Sequence, residues 1–566
     1  MSLINYPQNI SESFTYYPNG TVETFTNKNG TITQYQYDPT GNYPSREAQT
    51  VLQADGSTQN IVNQYLYDVY GNKTTITDPK GNLYVFRYDT RGNLREAVNP
   101  AGDIKTFQYD IEDHKTSEVD ELLRITRYVY DTDINASLLS ITKESPAGNI
   151  TVSRQYDYAG NLIKEIDPLN REVDYAYDSA NRLRTKTDSQ KISTYEYYIN
   201  GLLKKETSSA VSSPAVVLER TDYFYNTRGN TIEVRKYFDN NNFVSNASEY
   251  DGFNRVIKAT DGNARDTLFT YDDLDRLTSK TDPQNGITEL FYDNAGNKTG
   301  ERSPRAHNDP ALRNTDGFST SYVYDGANRP IKQINADNKQ TLTFYDPNGN
   351  VVRIIDRQNA NGANNTRVTR FEYYSNNQKK KTIFADNSEV VYTYDRVGNL
   401  KTTKDQLNRI QTNNYDDFNR LTDEIDPANN TTHYDYDVAG NKRFITYPDT
   451  TRTEYNYDSL NRLERVTDAL GGKRRYTYDA LGNKLSETDK RNATTTFSYD
   501  LLSRPIQETN PQNTITDYSY DNNSNRTIQT IANKTTSFEY DKFNRVTTTT
   551  YPGNKTESFA YDLNGN

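Results

Sequence analysis

The sequence predicts an all-β protein in which antiparallel β-hairpins follow one another and join into one long curved sheet. Three observations lead there. A Tyr-Asp pair recurs along the 566 residues, and from Asp395 to Asp521 every step is 21 residues. Each pair is followed by turn residues at fixed offsets, and a second turn falls about halfway to the next pair. Between the turns lie short runs rich in Thr, Tyr, Val and Phe, the residues that favour strands, and no segment carries a helical apolar period over ten or more residues.

The turns come first, because they set the period. The pairs lead into "YDPTGN", "YDVYGN", "YDTRGN" and "YDVAGN", or into "YDSANR", "YDGFNR", "YDSLNR" and "YDKFNR". Asp is favoured at the first position of a type I turn and Pro at the second. Three residues after the Asp stands Gly or Asn, and these tolerate positive φ better than other residues. A type I turn followed by a left-handed residue is a standard hairpin connection, so the Gly-Asn and Asn-Arg forms meet one backbone demand. The second turn reads "DPKGN" at Asp78, "DPLNR" at Asp167, "DPQNG" at Asp282 and "DPANN" at Asp426. One unit therefore holds two turns and two strands.

The strands follow from the spacing. An aromatic, any residue and then Tyr lead into many pairs, as in Tyr35-Gln36-Tyr37, Phe107-Gln108-Tyr109 and Tyr455-Asn456-Tyr457. Residues i and i+2 share a strand face, so the rings point one way and Thr, Glu or Asn the other. The returning strand opens on an aliphatic residue such as Leu94, Leu162, Leu400 or Leu463. Cross-strand ring pairs are expected to hold neighbours together at about 0.2–1 kcal/mol each. About 25 hairpins make a strip of ~50 strands, ~240 Å wide at ~4.8 Å per strand. Neighbouring strands are rotated by roughly 20°, so a strip of that width curls.

Composition explains the thin wall and excludes several function classes. Hydrophobic residues are only 33%, but aromatics reach 12%, led by 48 Tyr, which sets the chain apart from a disordered one. Net charge is −11 with no basic footprint, so no nucleic-acid partner is expected. No apolar run is long enough for a membrane-spanning helix, and the start "MSLINYPQNI" shows no signal peptide. With no Cys there is no disulfide and no thiolate metal site. His114, His307 and His433 are too scattered to suggest a metal centre or a nucleophilic triad. "DTDINASLLSIT", Asp131–Thr142, opens like a calcium loop but lacks its central Gly and final Glu. Rows of turn aspartates could gather calcium, yet turn capping already accounts for them. No catalytic, cofactor-binding or metal-binding residue is assigned, and no cofactor is expected.

Residues 1–34 read as degenerate hairpins continuous with the array, and 35–566 as the array itself. Longer loops are expected near 132–150, 208–222, 301–320 and 356–368, where the period is interrupted.

The pattern "YDxxGNxxxxxDPxGN" at this period resembles the RHS or YD-repeat family, which includes bacterial RHS polymorphic toxins, components of insecticidal toxin complexes and animal teneurins. The resemblance runs from Tyr35 to Asn566 in 21 copies. It implies that the strip spirals into a hollow β-shell, or part of one, that encloses a C-terminal toxin domain without catalysing a reaction. It also implies a secreted or cell-surface location, with the toxin domain or other shell components as partners. The alternative is an adhesion or glycan-binding module that meets a glycan or surface receptor through its Tyr-rich faces. The chain lacks the family's shell-closing region and stops at "YDLNGN", so it is expected to be a piece of a shell with open strand edges.

Overall fold

The computed structural model describes residues 2–132, 136–357 and 366–562. Among the described residues fifty strands belong to one antiparallel sheet, and within each compact unit a strand pairs with its sequence neighbours. The repeat around Tyr457 shows why the period is 21. Strand Arg452–Tyr457 has six residues and strand Leu463–Thr467 has five, and a five-residue turn follows each. Tyr455 pairs with Val466 and Tyr457 with Leu463, and a bulge falls between Asn456 and Tyr457. The next strand, Lys473–Tyr478, returns with Arg465 opposite Arg475.

Both turns have the geometry their residues call for. The Asn461 amide donates to the Asp458 carbonyl (3.1 Å) and the Asp458 amide to the Arg462 carbonyl (2.9 Å). Asn461 has φ 62°, and Gly471, its counterpart in the second turn, has φ 81°. The Tyr-Asp turns thus line one rim of the sheet and the second turns line the other, here called the YD rim and the DP rim.

The two faces differ as the alternation predicts. In Thr494–Tyr499, Thr495, Phe497 and Tyr499 are half-buried while Thr494, Thr496 and Ser498 are exposed. The same alternation runs through Glu172–Tyr177 and Ile515–Tyr520. The aromatic face is half-buried rather than buried, which is what a wall one sheet thick allows.

The chain divides into two compact units. The first comprises Met1–Arg127, Thr270–Lys280 and Ile287–Asn430, and the second Tyr128–Phe269, Thr281–Gly286 and Thr431–Asn566. Each contains an earlier arc of hairpins and a later one. In the first unit, Ser2–Tyr6 pairs with Ile10–Tyr16, and the hairpins continue directly into the array. There the long hairpin Pro44–Leu52 and Thr58–Tyr67 carries its tip onto the later arc. Gln53 and Gln59 donate to the Tyr345 carbonyl at 3.2 and 2.9 Å. Apolar burial gathers near this overlap, in Val51, Ile331, Ile334, Leu342 and Phe344.

One of the interruptions resolves differently from the expected loop. Residues 208–222 are not a long loop: they lengthen a hairpin, with strands Leu203–Ala210 and Ser213–Tyr225 joined by Val211 and Ser212. Its run of Val, Thr and Ser suits strand, so extra residues extend the ladder instead of bulging from it. The interruption at 301–320 is a longer connection as expected: residues 303–319 join strands Lys298–Arg302 and Thr320–Tyr324 and include a short helix, Pro304–Asn308. The Ser303 side chain caps that helix and Pro304 starts it, a pairing favoured at helix N-termini. The interruption at 356–368 falls largely on residues outside those described, although Arg357 and Thr366 pair across it. Within 132–150, residues 133–135, which the calcium-loop resemblance needs, also lie outside them.

Candidate functional site: the two turn rims

The Asp of each pair anchors its own turn. Asp458 Oδ1 accepts from the amides of Leu460 and Arg462, both at 2.9 Å, and Oδ2 accepts from Arg462 Nε at 2.7 Å. Where Asn replaces Arg, its amide takes the same place, as from Asn441 to Asp437 Oδ2 at 2.9 Å. These carboxylates are saturated with donors, which leaves them poorly suited to acid–base work or metal binding. Hydrogen bonds from the Arg182 side chain and backbone hold the Asp178 carboxyl below its usual range. The Asn72 side chain does the same for Asp68.

The two turn forms also do different work between neighbours. Asn441 donates a second bond, at 2.8 Å, to the side chain of Asn461, the left-handed residue of the next turn. Asn161 and Asn181, and Asn399 and Asn419, repeat this link. An Arg in that place reaches forward: Arg462 Nη1 donates to the Asp479 carbonyl at 2.6 Å, and its guanidinium lies 4.8 Å from the Tyr478 ring. Arg276, Arg329 and Arg504 repeat both contacts toward the next pair.

The Tyr of each pair closes the lattice. Tyr478 Oη donates to the Leu463 carbonyl at 2.8 Å, fifteen residues back, and Tyr177, Tyr292, Tyr415 and Tyr499 do likewise. Burial raises the pKa of Tyr478, so its hydroxyl keeps its proton. Tyr65 is pushed up to about 12, chiefly by burial and then by the Glu47 carboxylate to which it donates. Ring-on-ring packing, expected between neighbouring strands, is found among the described residues in pairs such as Tyr43 with Tyr67 at 5.0 Å. A number of repeat rings meet Arg or Lys instead. The sequence signal was present in the Asn-Arg turns, since a cation there lies within reach of the next hairpin's Tyr.

In each unit the DP rim of the earlier arc seats on the YD rim of the later one. In the first unit, Asn29 donates to Asp293 (3.0 Å), Lys80 pairs with Asp346 (3.1 Å), and Arg124 reaches the Asp416 carbonyl (3.4 Å). In the second, Asn263 donates to Asp521 (3.0 Å) while Asn523 donates back to Asp261 (2.7 Å). There too Arg462 Nη2 donates to Gln190 at 2.8 Å. Partners across these seams are 257 to 298 residues apart in sequence. The fit is close: a Cβ on Gly326 would lie 2.5 Å from Thr31 Oγ1, and one on Gly262 would lie 2.6 Å from the Asn522 carbonyl oxygen. A cavity of about 1110 Å³ opens along the seam of the first unit, lined by Asn29, Arg46, Asn60, Asp293 and Tyr324 among others.

The three histidines do not converge. His114 Nδ1 lies 3.1 Å from Asp110, His307 Nδ1 lies 3.1 Å from Glu289, and His433 Nε2 lies 3.5 Å from Asp435. Burial opposes ionisation of Glu289, but His307 and Arg302 together hold its carboxyl below the usual range. Among the described residues no three His, Asp or Glu side chains are grouped to hold a metal ion. No helix among them is long and apolar enough to cross a membrane.

A model of the teneurin YD-shell family matches residues 13–252 and 166–371, well over half of the chain. The chain belongs to the RHS and YD-shell family. The RHS-repeat model also matches, at residues 415–452 and 457–494. No curated protein matches this YD-shell chain in sequence. Among solved structures, that of TcdB2-TccC3 is 12% identical with a TM-score of 0.41, and the match covers 100% of this chain and 41% of that one. The Photorhabdus luminescens Tc holotoxin pore is 14% identical with a TM-score of 0.35, covering 98% and 30%. The YD-shell chain thus spans less than half the length of these chains. It is a stretch of structural YD-shell repeats.

Proposed function

We propose that this YD-shell chain is a segment of a containment wall that encloses a C-terminal toxin polypeptide and keeps it from acting before delivery. The observation that carries the reading is the rim seam, repeated in both units at an interval of 257 to 298 residues. A strip that meets itself at that interval is suited to winding lap on lap. At ~21 residues per hairpin and ~4.8 Å per strand, a lap of ~270 residues would be roughly 125 Å around. Such a wall would have room for an unfolded chain and no need of chemistry of its own. Its partners are then the cargo and other shell components, and its place is outside the producing cell or at its surface. Glycan stacking on the repeat tyrosines is the weaker reading, because Arg and Lys heads lie over many of those rings.

Small-angle scattering of the purified chain tests this reading. A hollow particle with a deficit of short interatomic vectors is expected, and the profile of a solid globule would overturn it.

A further inference from the structure

On the face opposite the repeat tyrosines, two positions of the repeat stand directly across from each other. One lies two residues after the residue that opens the returning strand, the other three residues before the Tyr of the next pair. Lys164 meets Asp174 there, with Nζ 3.3 Å from Oδ1, and Lys205 stands opposite Asp222. Thr402 opposite Thr412 is a neutral version of the same pairing. Twice these positions hold two arginines: Arg353 opposite Arg370 in the first unit, and Arg465 opposite Arg475 in the second. Like charges placed directly across a sheet weaken it, so each pair calls for an anion.

The protein answers the first pair itself. Asp55, at the tip of the long hairpin Pro44–Leu52 and Thr58–Tyr67, brings Oδ2 to 3.4 Å from Arg353 Nη2. The second pair is answered only in part. Arg465 Nε and Nη2 donate to Asn456 Oδ1 at 3.1 and 2.8 Å, and Glu454 lies 3.8 Å from its guanidinium. Arg475 is exposed and has no hydrogen bond, ion pair or ring contact among the described residues. Lys473, two residues before it and so on the same face, is exposed and equally without a partner among them. Three cations thus share one carboxylate, in a chain whose net charge is −11.

We infer that Arg475, with Arg465 and Lys473, is a docking site for a carboxylate carried by an acidic polypeptide. The part that Asp55 plays at Arg353 is taken here by an Asp or Glu of the partner. A guanidinium can give a carboxylate two parallel hydrogen bonds, and Arg475 has all of its donors to offer. The occupant is a polypeptide because the group that the protein already seats at these two repeat positions is an aspartate on a hairpin tip. The inference rests on the comparison of the two arginine pairs and is independent of the containment reading.

Fluorescence anisotropy of a dye-labelled oligoglutamate titrated with the purified chain provides the test. Saturable binding of one peptide per chain is expected. Arg475→Gln is expected to weaken it about tenfold, the loss typical of a hydrogen bond between charged groups. Lys401→Gln, which alters an exposed lysine of the other unit, should leave binding unchanged. Without peptide, the Arg475→Gln chain should keep or raise its urea midpoint, because a like-charge pair is relieved. Asp55→Asn frees Arg353 and is expected to add a second site per chain. The absence of saturable binding, equal binding by the Arg475→Gln chain, a lowered midpoint, or an Asp55→Asn chain that still takes one peptide would each overturn the inference. So would single-stranded DNA or an oligogalacturonate that displaces the peptide at a lower concentration than unlabelled oligoglutamate does.

Discussion

Arg462→Ala removes four contacts at once from the YD rim described above. The guanidinium pairs with Asp458 (2.7 Å), donates to the Asp479 carbonyl (2.6 Å) and to Gln190 across the seam (2.8 Å), and lies over Tyr478. Its side chain is only 17% exposed, as is that of Asp458. Hydrogen bonds to charged groups contribute about 1.5–3 kcal/mol each where water is largely excluded. A cation over a ring adds about 0.5–1 kcal/mol. Water re-entering the site recovers part of the loss, so about 3 kcal/mol of local stability should go. In a hairpin array stability is set between neighbours, so the damage should stay near strands Arg452–Tyr457 and Lys473–Tyr478. Hydrogen exchange read by mass spectrometry should show amides there exchanging about 100-fold faster, with distant hairpins unchanged. The control lies in the protein itself. Arg409 makes the same bond to Asp405 on a rim without a seam, but its side chain is 60% exposed. Arg409→Ala should therefore cost less than about 1 kcal/mol. Equal effects from the two substitutions, or a uniform loss of protection along the chain, would refute the reasoning.

Gly326→Val should lower the urea midpoint by an amount equal to about 1–3 kcal/mol, because the new side chain collides with Thr31. Gly252→Val, at the same turn position but uncovered, should stay within about 0.5 kcal/mol. Acid should unfold the protein through its turn carboxylates. Asp178 and Asp68 have pKa values below the ordinary 3.8 when folded, so their contribution is present above that value and is lost as pH falls toward the folded ones. A circular dichroism titration should show strand loss beginning below pH ~4, and full retention well below that would contradict the turn assignment. Alkali should act through the tyrosines. Tyr478 and Tyr499 have pKa values raised above 10.0 by burial, so the stability they give is complete below that pH and lost as pH rises through the folded values. Phenolate absorbance should lag behind that of free tyrosine and then rise together with unfolding.

What could be read from the sequence was local. Asp458, Asn461 and Arg462 specify a turn within five residues, and no distant contact is needed to recognise it. The strands between turns follow from the same arithmetic, as does the common face of Tyr455 and Tyr457. The seam was not legible, because Asn263 meets Asp521 only through the summed curvature of every hairpin between them, and no local pattern encodes that sum. The hairpin across 208–222 was misjudged because an interrupted period says that residues were added but not whether they lengthen strand or loop. The helix at Pro304–Asn308 did have a signal, Ser303 followed by Pro304, which a search for long apolar periods passes over.

From Asp395 to Asp479 the Gly-Asn and Asn-Arg turns alternate, which bears on how that stretch can be inherited. Asn441 needs an Asn ahead of it, and Arg462 needs a Tyr-Asp pair ahead of it, so a lone hairpin gained or lost would set two like turns side by side and break one kind of link. Asn483 already illustrates the cost, since the turn before it in sequence offers its bonds forward while the turn after it has Ser503 where Asn would stand, and its amide bonds only to Asp479. Duplication in steps of two hairpins keeps every link there, which makes the pair, and not the single 21-residue repeat, the natural currency of growth for that stretch.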